Sequence, residues 1–130
     1  MKIILVDAVF CFITEKDGKF QIFSEVHHLL ETYPNRKILL TGTSDDKIEF
    51  YGLNAVPYEY FTLKHNPEKI NPEYYNIMLK NFNFTKEDVI YFEHDINAVK
   101  SAQSVGINTY WYDNDKKDLA CLKKFLDENL

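Results

Sequence analysis

Cysteine is scarce: Cys11 and Cys121 are the only two in 130 residues, and neither lies in a CxxC or Cys/His metal spacing. Two isolated thiols give no disulfide framework and no zinc motif, so a bridge between them is not expected. Long apolar runs are also missing. None approaches the roughly 20 residues that span a bilayer, and the run from Met1 to Val6 meets Asp7 too soon for a secretory core. A cytosolic location without membrane attachment is the expectation. Basic charge is not in excess either: 15 Lys and Arg against 20 Asp and Glu give a net charge of −5. Without a global positive field, sequence-independent binding to nucleic acid or to an anionic membrane is not expected. No internal repeat, low-complexity tract or linker interrupts the chain.

What remains is a composition suited to one compact domain over residues 1–130. It is 45% hydrophobic, 15% aromatic and 27% charged, enough apolar surface for a core and too little charge for disorder. Short apolar or β-branched runs alternate with segments of helical period, the signature of a parallel sheet covered by helices. The strands are expected at Lys2–Asp7, Lys37–Thr41, Tyr58–Leu63, Asp88–Glu93 and Asn108–Tyr112. Three of them are nearly continuous in apolar residues, as strands buried on both faces are. Helices are expected from Ser24 to before Pro34, from Ser44 or Asp45 to near Gly52, after the Asn71 cap, over Asn97–Ser104 and over Asp115–Glu128. The third has Pro72 at its first position and Tyr74, Ile77 and Met78 turned inward. Between Phe10 and Phe23, Asp17-Gly18 separates two β-rich arms, so a hairpin is expected just after the first strand.

Open α/β sheets bind ligands at the carboxyl ends of their strands. Four places qualify: Asp7, Thr41-Gly42, Lys69, and Glu93-His94-Asp95. Singly each has an ordinary reading. An Asp or Thr after a strand forms turns and caps helices, and a loop Lys is usually solvated.

In order, however, they resemble the four motifs of the haloacid dehalogenase (HAD) superfamily. IILVDAV resembles its first motif, a strand ending in an Asp nucleophile; ILLTG resembles its second; Lys69 followed by INPE resembles its third; and VIYFEHDINAVKSAQSVG resembles its fourth. The resemblance implies a Rossmann-like five-stranded parallel sheet flanked by helices, with the hairpin as the flap. It further implies a phosphatase in which Asp7 forms an aspartyl phosphate, while Thr41, Gly42 and Lys69 hold the phosphoryl oxygens and neutralise their charge. Mg²⁺ would be held by Asp7, Glu93 and Asp95. The intervals from Asp7 to Thr41 and from Thr41 to Lys69 are too short for a cap domain. The site is therefore expected to be open, and the resemblance implies a phosphorylated substrate, including a macromolecular one.

Three departures qualify this resemblance. Val9 stands where the family has its general acid/base Asp, a loss of roughly 10²–10⁴-fold in rate. Phe10 and Cys11 replace the usual Gly and Thr, and His94 and Ala98 replace acidic residues of the fourth motif. Imidazole is a poor ligand for a hard cation. Asp-Ala-Val is also similar to the Asp-Ala-Tyr of the superfamily's metal-free dehalogenases, but the Ser-Ser-Asn-type fourth motif and helical cap insert of those enzymes have no counterpart here. The second function class is thus a catalytically degenerate domain that binds a phosphorylated ligand or a protein. A third, a two-component receiver, requires an Asp after the third strand, where this chain has Leu63-Lys64.

Overall fold

The computed structural model describes all residues, 1–130. A five-stranded parallel sheet forms its centre: β1 (Ile3–Asp7), β4 (Lys37–Thr41), β5 (Glu59–Thr62), β6 (Val89–Glu93) and β7 (Asn108–Trp111), in the spatial order β5-β4-β1-β6-β7. Ile4, Leu5 and Val6 of β1, Ile38, Leu39 and Leu40 of β4, and Ile90, Tyr91 and Phe92 of β6 are all buried. Such runs bury side chains on both faces, which explains why they are apolar without alternation.

Alternate residues feed two cores. On one face Ile4, Val6, Leu39 and Phe92 pack with Val26 and Leu30 of α1 (Ser24–Glu31) and with Leu122 and Leu126 of α4 (Leu119–Asn129). On the other, Leu5, Ile38, Leu40 and Tyr91 pack with Tyr74, Tyr75 and Met78 of α2 (Pro72–Phe82) and with Ala102 of α3 (Ile96–Ser104). No helix is long and apolar enough to cross a membrane. The remaining two strands, β2 (Ile13–Lys16) and β3 (Lys19–Ile22), form the expected hairpin. Asp17 and Gly18 at its tip have φ of 53° and 78°, the left-handed pair that a type I′ turn requires.

Three local expectations are corrected. The segment after Ser44 is no α-helix but two single 3₁₀ turns, Asp45–Lys47 and Leu53–Ala55. The Ser44 hydroxyl donates to the Asp46 carboxylate at 2.5 Å instead of accepting from the backbone, so no cap forms. Ile77 is 37% exposed. The buried stripe of α2 is Tyr74, Tyr75 and Met78, and Ile77 lies about 100° around the helix from its centre. Finally, α4 begins at Leu119 rather than near Asp115. Asp113 accepts from the amides of Asp115 and Lys116, Lys117 is left-handed at φ 49°, and Asp118 is the true cap, accepting from Cys121 N at 3.0 Å.

Chain direction from β1 runs outward both ways, to β4 and β5 on one side and to β6 and β7 on the other. The crevice at this topological switch opens at the carboxyl ends of β1 and β6, where Asp7 and Glu93 stand.

Candidate functional site

Asp7 is 1% exposed at the end of β1. The turn that follows is closed by Phe12 N to Asp7 O at 3.2 Å and Ile13 N to Ala8 O at 2.9 Å. Its left-handed position, φ 72°, is held by Phe10. A side chain there costs about 1–2 kcal/mol relative to glycine. The Phe10 ring packs edge-on against His94 at 5.4 Å and Phe20 at 6.0 Å, which offsets part of that strain.

Four donors converge on the Asp7 carboxylate. Lys69 Nζ donates to Oδ1 at 2.6 Å. Oδ2 receives His94 N at 3.2 Å, the Cys11 thiol at 3.3 Å, and the closely apposed His94 Nδ1. Lys69 also reaches Glu93 Oε1 at 2.7 Å and Leu40 O at 3.2 Å, so its three N–H bonds all have acceptors. Glu93 is fully buried. Its Oε1 also takes the Tyr91 hydroxyl, and its Oε2 takes Asp95 N at 3.0 Å and lies 3.1 Å from His94 Nδ1. The indole of Trp111 donates to His94 O at 2.8 Å and fixes the loop that carries this residue.

The electrostatics follow from that packing. Burial works to raise the Asp7 pKa, but Lys69 and then His94 overrule it and hold the carboxyl well below its usual range. Burial likewise opposes charge on His94, yet its hydrogen bonds to Asp7 and Glu93 push its pKa up to about 10. Burial also opposes charge on Lys69, and Asp7 and Glu93 raise its pKa well above normal. Burial, aided by the charges of Asp7 and Glu93, raises the Cys11 thiol well above its ordinary range and keeps it protonated. Lys69 and His94 therefore each sit against both acids, Asp7 and Glu93.

Thr41 and Gly42 lie at the end of β4. The Thr41 hydroxyl is 2.6 Å from that of Thr43 and accepts from Thr43 N at 3.1 Å. Tyr74, fully buried on α2, donates to Thr41 O at 2.7 Å and ties the strand end to the helix. Asp7, Thr41, Gly42, Lys69, Glu93 and Asp95 all line one cavity of about 280 Å³, so every residue singled out in the sequence is brought to it. Asp95 is the N-cap of α3, its Oδ1 accepting from Asn97 N at 2.9 Å.

Several participants carry no motif signal. Tyr91 sits in mid-strand, and the Cys11 thiol reads as a bystander until the turn folds it onto Asp7. His65 and Glu68, whose side chains meet at 3.2 Å, also line the cavity. Their i, i+3 spacing in a loop has no helical period to reveal it.

No family model matches the chain, and no curated protein matches it in sequence. Its architecture is nevertheless found among solved structures. An enzyme of the HAD family from Bacteroides thetaiotaomicron, in complex with magnesium and inorganic phosphate, superposes with a TM-score of 0.72 at 14% identity, over 94% of this chain and 98% of that one. A point variant of the same enzyme gives 0.74 at the same identity and coverage. A HAD-superfamily hydrolase from Ehrlichia chaffeensis gives 0.65 at 17% identity, over 88% of this chain and 62% of that one. The fold of this chain is HAD-like.

Proposed function

We propose that this chain is a HAD-like hydrolase acting on phosphate monoesters, with Asp7 as nucleophile. The observation that carries the reading is the Asp7–Lys69 pair at 2.6 Å, beside Thr41 at the switch point of a HAD-like sheet. Asp7 Oδ1 has Lys69 as its sole partner and keeps a lone pair. Attack by that oxygen forms a P–O bond to phosphorus and breaks the ester P–O bond; the leaving oxygen takes a proton from solvent. Water then attacks the aspartyl phosphate, breaking its P–Oδ1 bond and releasing phosphate and a proton. The Lys69 ammonium supplies positive charge beside the transferring phosphoryl group, and the Thr41 hydroxyl and the Gly42 amide are suited to its oxygens.

A magnesium ion, present with phosphate in the Bacteroides enzyme, does not fit the side chains found here. Asp7 Oδ2 is crowded by the Cys11 thiol, the His94 amide and the His94 ring, and both oxygens of Glu93 are met by Tyr91, Lys69, Asp95 N and the same ring. Asp95, the third acid that the resemblance implies as a ligand, is engaged in capping α3. A hard dication would have to displace the His94 ring and enter beside two cations. No step of the proposed reaction is therefore routed through a metal.

With Val9 in the acid/base position, slow turnover is expected, and the substrates best served are those whose leaving group needs no proton. The reading includes a single cytosolic domain without an inserted cap, open to phosphorylated substrates that include macromolecules. The test is phosphate release from an aryl phosphate at high enzyme concentration, abolished in Asp7→Asn. The same substitution of acid/base by Val9 favours a second reading, a catalytically silent domain that binds a phosphorylated ligand. Absence of any turnover, with phosphate-analogue binding retained, selects it.

A further inference from the structure

We propose that His94 occupies the seat of the divalent cation and that the site binds a phosphoryl group without metal. The inference rests on the phosphate-site reading above and specifies what stands in the cation's place.

Counting back from Gly106 places His94 where the HAD pattern has an acidic residue of its fourth motif. An acid there would leave Asp7 and Glu93 facing a third carboxylate, an arrangement that needs a cation. The imidazole instead contacts both acids through Nδ1, reaching Asp7 Oδ2 and lying 3.1 Å from Glu93 Oε2. One ring atom therefore lies against both acids at once, in the space that a cation between them would need. Its main-chain N–H adds a second donor to the same Asp7 oxygen at 3.2 Å.

The ring is also held in place. Phe10 packs edge-on against it at 5.4 Å, and Trp111 binds its carbonyl at 2.8 Å. A ring fixed in this way has lost its rotamer freedom before any ligand arrives, which favours a built-in role over a chance contact. Its Nε2 makes no hydrogen bond within the protein, although the residue lines the cavity. That leaves a ring nitrogen without a protein partner for an incoming anion, with the Lys69 ammonium on the other oxygen of Asp7. Lys69 and His94 thus flank the two acids on the side where the phosphoryl group would bind.

Binding of orthovanadate to the full chain, followed by calorimetry, tests this directly. The expected result is saturable binding after exhaustive chelation, with affinity changed less than about 3-fold by excess Mg²⁺, and no heat from Mg²⁺ alone. In His94→Asp the dependence inverts: binding in chelator falls by roughly 10- to 100-fold and Mg²⁺ restores it. His94→Asn, which keeps a donor but carries no charge, loses chelator-insensitive binding to the same degree, with its circular dichroism spectrum showing that it is folded. Wild-type binding that disappears in chelator and returns with Mg²⁺ overturns the proposal while leaving the phosphate site intact. Stoichiometric Zn²⁺ uptake that is lost in Cys11→Ser also overturns it, by assigning His94, Cys11 and Asp7 to a metal. No vanadate binding by wild type under either condition overturns the phosphate site itself, and the proposal with it.

Discussion

His94 Nδ1 and the Cys11 thiol meet on one oxygen of Asp7, leaving Lys69 alone on the other. The carboxylate is thus divided into a clamped oxygen and a freer one. The clamped side fixes the rotamer; the freer side keeps its electron pair. Replacing Asp7 by Asn preserves the shape but removes the charge that both cations face. Hydrolysis of an aryl phosphate is expected to fall to the uncatalysed level, while vanadate, whose negative charge can serve both cations, still binds. Loss of both activity and binding would mean that Asp7 is needed only to build the site.

Lys69 is 13% exposed in its side chain and is shared by two buried carboxylates. Lys69→Met leaves both of them without their ammonium partner. Removing one member of a buried ionic cluster costs about 3–5 kcal/mol, read as a lower urea midpoint at unchanged slope. The double variant Asp7→Asn, Lys69→Met is expected to lose less than the sum of the singles. Additive losses in this cycle would show that the two side chains do not interact.

Stability should depend on pH in a manner set by the same cluster. The pKa of Asp7 is depressed in the folded state, so its contribution is complete above its unfolded value near about 3.9 and is lost as pH falls below that. His94 is raised to about 10. Its contribution is complete below its unfolded value near about 6.5 and drains away as pH rises from there through about 10. A plateau between about pH 4 and 6.5 is expected, followed by an alkaline decline that His94→Asn lacks. Denaturant midpoints measured across this range check the sign. An unchanged alkaline limb in the variant would assign it to other groups.

Much of the fold was legible because strand burial writes itself into composition. ILLT at β4 and VIYF at β6 cannot alternate when both faces are covered, and Asp17-Gly18 can supply the two left-handed residues of a tight hairpin. The site was legible where a strand end and a reactive side chain coincide, as at Asp7, Thr41 and Glu93. It was not legible where partners are joined only by topology. Nothing local tells that Tyr91, two residues before Glu93, donates to its carboxylate, or that Phe10 accepts a left-handed φ and packs on His94. The segment after Ser44 misled for a different reason. Its Ser-Asp-Asp start has the composition of a helix cap, but the hydroxyl is taken by a neighbouring carboxylate, and of the following residues Ile48, Tyr51, Leu53 and Val56 pack on the core without helical period while Phe50 stays exposed.

Tyr74 links this architecture to the site. Its hydroxyl is buried and donates to the carbonyls of Thr41 and Phe61, at 2.7 and 3.3 Å. Tyr74→Phe leaves two carbonyls short of a donor and is expected to cost about 1–3 kcal/mol. Because the ring itself is retained, the loss should appear without a change in the unfolding slope. A midpoint equal to wild type would show that these carbonyls find another donor.

Val9 lines the same cavity as Asp7, two residues along the chain, and is only partly buried. A carboxylate introduced there would not be forced into a dry core, and it would stand on the same turn as the nucleophile. If Asp7 is a working nucleophile limited by the missing proton donor, Val9→Asp should accelerate release of a poor leaving group by roughly 10²- to 10⁴-fold. A nitrophenolate leaving group, which departs without a proton, should gain much less in the first step. The comparison between an alkyl and a nitrophenyl phosphate therefore reads the acid's contribution separately from any general change in the site. Equal gains on both substrates would point to a rearranged turn, and no gain on either, with vanadate binding intact, would place the limit in Asp7 itself.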